Sequence, residues 1–225
     1  LLGLAIAESG QGEAENVIEH LAAHPSTARF IATKLARRFI ADNPPREIVE
    51  KAAQVFIQTK GDIKSVLRVI LLDGLALAQP KYKRPLNFVL SAARALNVET
   101  DGQAFGQPLA RMGQLPFSWP TPDGYPDRSD AWMGNLMPRW QFALELTRNE
   151  MKNTRLNLMR LLDVVSTGQL QGDADALASL LLGAALPRST RDDLLATVTN
   201  AGANADETLR VLAASILASP AFQWR

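Results

Sequence analysis

This chain of 225 residues contains no cysteine. That excludes disulfides, a thiolate nucleophile and cysteine metal ligation, and it leaves the redox compartment open. Only two histidines are present, so acid–base chemistry would have to rest on carboxylates. No run of eighteen apolar residues occurs, so no segment is predicted to span a bilayer. The formal net charge is +1, which gives no global reason to expect nucleic acid or an anionic membrane as partner. The phosphate loops GxGxxG and GxxxxGK[ST], the GxSxG elbow and the HExxH zinc motif are all missing. An initiator Met is missing too. Leu1–Ala7 is apolar but short, with no basic region before it, so the chain reads as a fragment whose N-terminal part, with any export signal, lies elsewhere.

What is present is ordinary globular composition, 47% apolar and 21% charged, on a chain long enough for a substantial core. Helical periodicity dominates. A first helix runs to about Ala23. His24-Pro25 ends it and opens a second, Pro25 to Ala41, with Ala28, Ile31, Ala32, Leu35 and Phe39 on one arc. Further helices are predicted at Arg46–Thr59, Ile63–Leu72 behind an Asp62 cap, Pro85–Leu96, Leu109–Met112 and Asn135–Arg148. Leu156–Val165, Ala174–Leu182, Thr190–Asn200 and Glu207–Ala218 follow, with Ser189 to Asp192 resembling a capping box. No strand is predicted. The expectation is an all-α bundle of about eight to ten helices, with 1–148 as main domain and 149–225 as a helical extension packed on it.

One stretch breaks the pattern. Residues 114–142 hold six of the fourteen aromatic residues and five of the thirteen prolines. The result is one long proline- and aromatic-rich loop. Ser129 or Asp130 can cap a turn bearing Trp132, and Asn135 can cap the helix after it.

Several blocks occur together in order: GQGEAENVIEHLAAHPSTARFIATKLARRFIADNPP, GDIKSVLRVILL, KYKRPLNFVLSAARAL, LARMGQLPFSWPTPDGYPDRSDAW and ILASPAFQ. Together they resemble the bacterial domain-of-unknown-function family 1800, in its C-terminal portion. The resemblance implies a mostly helical bacterial protein, often exported, with genes often beside those of a second uncharacterised, sulfatase-like family. It implies no reaction, so there are no catalytic residues to carry over. Two departures stand out: Asn87 where an acidic residue is expected, and Asp73-Gly74-Leu75 where a Ser-Pro-Glu-Phe-like segment is usual.

Four groups of residues could carry chemistry. Trp119, Tyr125, Trp132 and Trp140 could form a platform for a sugar ring or peptide, or could pin the loop to the helices. Of these, Trp132 and Trp140 are expected in the core. Asp123, Asp127 and Asp130 could hold a hard cation, or serve turns and caps. His20 and His24, four apart, are weak zinc candidates without a third ligand, and His24 suits a structural role at the helix junction. Lys83 and Arg94 could anchor an anionic group, or lie on a solvated face.

The first functional reading is a binding or assembly module using the 114–132 loop, with a protein partner or a polymer ligand. A polymer-acting hydrolase with Asp123 and Asp127 as acid and base is the alternative. A structural fragment whose site lies in a missing N-terminal part is the third. No cofactor is assigned, and whether the chain is an enzyme stays open.

Overall fold

The computed structural model describes residues 3, 10–162, 169–199 and 204–225. The predicted helix ends at Val165 and Asn200, and Leu1–Ala7 apart from Gly3, lie outside the described residues. The chain divides into two compact units, Leu1–Lys81 and Tyr82–Arg225. The boundary at 148 read from the sequence lies inside the second unit.

The first unit is built from α1 (Gln11–Ala22), α2 (Pro25–Phe39), α3 (Arg46–Gln58) and α4 (Ile63–Gly74). His24 caps α2, its Nδ1 accepting from Ser26 N at 3.1 Å, and Pro25 fills the first helical position where its missing N–H costs nothing. Asp62 caps α4, accepting from Ser65 N at 3.0 Å. The buried stripe of α2 is Ala28, Ala32 and Ala36, while Phe39, expected on that arc, is exposed. Small side chains at i, i+4 and i+8 let neighbouring backbones approach, so the alanines win the interior and the larger residues flank them. Ile48, Ala52 and Phe56 of α3 and Val66 and Ile70 of α4 complete this core. Gly74 ends α4 in close contact with Ile40, whose Cδ1 would stand 3.0 Å from an added Cβ. A 3-10 turn, Leu75–Leu77, follows.

The second unit opens with α5 (Pro85–Ala95), started by another proline. Then come β1 (Glu99–Thr100), a 3-10 turn (Gln103–Phe105), α6 (Gly106–Arg111), the long loop with a 3-10 turn (Ser129–Ala131), and α7 (Met137–Thr147). β2 (Thr154–Arg155), α8 (Leu158–Leu162), α9 (Leu170–Leu182), α10 (Arg188–Thr199), α11 (Ala205–Ala218) and α12 (Pro220–Gln223) complete it. The fold is all-α, with twelve α-helices among the described residues. Unpredicted are α12, the 3-10 turns at Leu75–Leu77 and Gln103–Phe105, and β1 with β2, a two-residue antiparallel pair joined by Thr100 and Thr154, whose hydroxyls lie 2.9 Å apart. Two residues are too few to show alternation, so no sequence pattern marks them.

The core of this unit gathers α5, α7, α9 and α11 around four phenylalanines. Phe88 meets Phe142 and Phe222 edge-on at 5.8 and 5.5 Å, and Phe105 meets Phe142 at 6.0 Å. Such tilted pairs favour the ring quadrupoles. α10 begins at Arg188, so Ser189 and Thr190 lie within its first turn rather than before it.

Candidate functional site

The loop is tied down by its own polar atoms. At its root, the buried Gln114 accepts from Leu86 N in the first turn of α5, at 2.8 Å. Tyr125 OH donates to Leu115 O at 2.6 Å, Trp119 Nε1 to Asp123 Oδ1 at 3.1 Å, and Trp132 Nε1 to Pro126 O at 3.0 Å. The three rings form a chain, Trp119 to Tyr125 at 4.9 Å and Tyr125 to Trp132 at 6.0 Å. Trp132 is buried, Tyr125 half-buried and Trp119 exposed on one side. Trp140, expected in the core, is 40% exposed and donates to Ala218 O at 3.2 Å. Every polar ring atom in this group is therefore spent on the protein itself, leaving apolar ring surface for contact.

One aromatic residue is treated differently. Phe117 is 105% exposed and its backbone lies in the left-handed region, at φ 62°. A bulky residue there pays steric strain, and this one recovers nothing by burial. Leu115, Met133, Leu136 and Met137, close in sequence, are also exposed.

The loop carboxylates are occupied. Asp123 receives Trp119 and the Thr121 hydroxyl. Asp127 pairs with Arg84 at 3.6 Å and Asp130 with Arg128 at 3.1 Å. The expected cap residues bond elsewhere in the fold. Ser129 Oγ accepts from Tyr82 N at 3.0 Å, and Asn135 donates to Arg111 O at 3.1 Å while α7 starts without a side-chain cap. No group of three or more His, Asp or Glu converges among the described residues. His20 and His24 stack edge-on at 6.5 Å, with His24 committed to capping α2.

Lys83 and Arg94 do not converge. They are separated by about 15 Å along the helix direction. Lys83 is buried, whereas Arg94 stands on the exposed face of α5. The residue that does meet Lys83 was not singled out in the sequence. Arg139, on the first turn of α7, is fully buried. Its Nη2 donates to Lys83 O at 2.7 Å and its Nη1 to Gln223 Oε1 at 3.1 Å. The guanidinium lies over the Tyr82 ring at 4.5 Å and near Phe88 at 5.1 Å. Lys83 Nζ sits over the Phe222 ring at 3.4 Å. Burial, and then the neighbouring Arg139 charge, lower the Lys83 pKa to about 8. Burial likewise lowers that of Arg139. Two cations thus share a ring-lined interior, and among the described residues no carboxylate bonds to either.

A second region also escaped the sequence reading. A cleft of about 1110 Å³ lies among Asn97, Asn149, Asn153, Arg155, Arg160 and neighbouring residues. Three of its asparagines are left-handed, at φ 49°, 58° and 51°. Asn tolerates that region because its short side chain bonds locally, as Asn149 does with Leu156 N and O.

A family described as "Protein of unknown function (DUF1800)" matches residues 1–224. No curated protein matches, and no solved structure does.

Proposed function

Because the chain belongs to the DUF1800 family, whose description names no activity, we propose from geometry that it is a non-catalytic module that binds another protein through its loop. The observation that carries this is Phe117, held fully exposed in a strained backbone conformation. Strain without internal compensation points to a role outside the fold. The surrounding loop is prepared for such a role. Its ring N–H and O–H groups are already bonded, so the surface is rigid before contact and loses little entropy on binding. Apolar aromatic and methionine side chains are what protein interfaces favour, and Phe117, Trp119, Met133 and Met137 supply them. A sugar would need free polar donors that these rings no longer have.

The hydrolase reading loses support, since Asp123 holds Trp119 and Asp127 faces Arg84.

The test is a photo-crosslinking phenylalanine analogue at position 117, with Phe30, an exposed phenylalanine of the first unit, as control. In producing cells, position 117 should give one discrete adduct that position 30 does not. Once that protein is identified and purified, Phe117→Ala should weaken its binding by about tenfold or more. No adduct, or the same adducts from both positions, overturns the proposal.

A further inference from the structure

Buried charge in a protein is ordinarily paired, because removing an ion from water costs far more than packing returns. The interior around Arg139 holds two buried polar groups without a partner. Arg139 is fully buried and its Nε has no hydrogen-bond partner. The buried hydroxyl of Tyr82 has none either. Lys83 Nζ rests on the Phe222 ring, with no acceptor bonded to it. All three belong to one cluster. The guanidinium covers the Tyr82 ring, its charge acts on Lys83, and the Tyr82 oxygen acts in turn on Arg139.

Two orphan groups, an N–H and an O–H, and the Lys83 ammonium beside them can all donate a hydrogen bond. Nothing among the described residues answers them with an acceptor. The rest of Arg139 is fixed, through Lys83 O and Gln223 Oε1, so its free edge is preorganised. Gln223 is in turn held by Leu217 O at 2.9 Å.

We propose that Tyr82, Lys83 and Arg139 form a receiving site for a carboxylate group. A carboxylate answers each feature of the cluster. It brings negative charge to two cations and planar oxygens to the Nε edge, where charge-assisted hydrogen bonds are short and strong. A phosphate dianion would pay a larger desolvation cost there, and the cluster offers no nest of backbone N–H groups to repay it. Tyr82 N is bonded to Ser129 Oγ of the loop, but the two proposals rest on different observations and neither depends on the other.

The whole chain serves for the test, with sodium acetate, sodium phosphate and sodium chloride as probes at constant ionic strength. Acetate should raise the melting temperature saturably, by about 4 °C at full occupancy. It should also raise the titration midpoint of Lys83, followed by NMR of ¹³C-methylated lysines. Tyr82→Phe removes the orphan O–H and Lys83→Met the ammonium, and neither removes a hydrogen bond of the fold, so both should fold and both should lose the acetate response. A parent without a saturable acetate response overturns the site. So does a response that phosphate or chloride matches, or one that survives in both variants.

Discussion

The loop at 115–132 and the interior at Arg139 are opposite kinds of incompleteness within one unit. In the loop, polar ring atoms are all satisfied and an apolar ring, Phe117, is left over in water. In the interior, the rings pack edge-to-face and polar donors are left over away from water. Each residue type stands in the environment it disfavours. A fold selected for stability alone would remove both. The two remainders also differ in what would complete them: an apolar surface in one case and an anion in the other.

The interior should be the more fragile of the two. Arg139→Ala leaves a cavity and strips Lys83 O and Gln223 Oε1 of their donor. A loss of about 3–5 kcal/mol is expected in urea unfolding. A loss below about 1 kcal/mol would mean that this region is not the well-packed interior described, and the contrast with the loop would vanish.

Lys83 sharpens the contrast through pH. Its folded pKa of about 8 lies below the ordinary 10.5. Between those values the unfolded chain holds more protons than the folded one, so stability rises as pH climbs from 8 through 10.5. Below pH 8 both states are protonated and the penalty is fully present. The shift corresponds to about 3 kcal/mol at full desolvation, and solvent screening of the partly accessible amine reduces the expected gain of the parent over Lys83→Met to on the order of 2 kcal/mol across that window. Equal slopes for the two proteins would show that the amine is not desolvated.

These two regions were unequally legible in the sequence. The loop announced itself by composition, because proline and aromatic residues accumulate where helical periodicity stops. Helix starts were legible where proline or Asp62 marks them. The α2 stripe was misplaced toward Phe39, because alanine carries little hydrophobic signal even when it is the residue buried. Arg139 gave no signal. A basic residue on a helix is ordinarily solvated, and its partners at 83 and 223 lie 56 and 84 positions away. Local pattern cannot report a meeting that only the tertiary fold brings about.

The loop should respond to substitution with the opposite sign. Phe117→Gly removes the left-handed strain and buries nothing less, so stability should rise by about 0.5–1 kcal/mol even as partner binding is lost. If stability falls, Phe117 has contacts that make it part of the fold, and the loop ceases to be the region with an apolar remainder.

The smallest effect separates a held carboxylate from a working one. Asp123 accepts from Trp119 Nε1 and the Thr121 hydroxyl, and an amide oxygen can accept both. Asp123→Asn should therefore stay within about 0.5 kcal/mol of the parent and keep its tryptophan fluorescence. Asp123→Ala deletes the acceptor, frees the Trp119 indole and should shift that emission at a cost of about 1 kcal/mol. The difference between the two variants measures the hydrogen bond, because only the charge changes in the first. Partner binding should follow the same order, kept in Asn and weakened in Ala, since it depends on how the ring is held. If Asn loses binding as fully as Ala does, the negative charge itself touches the partner, and the loop is then an electrostatic surface rather than an apolar one.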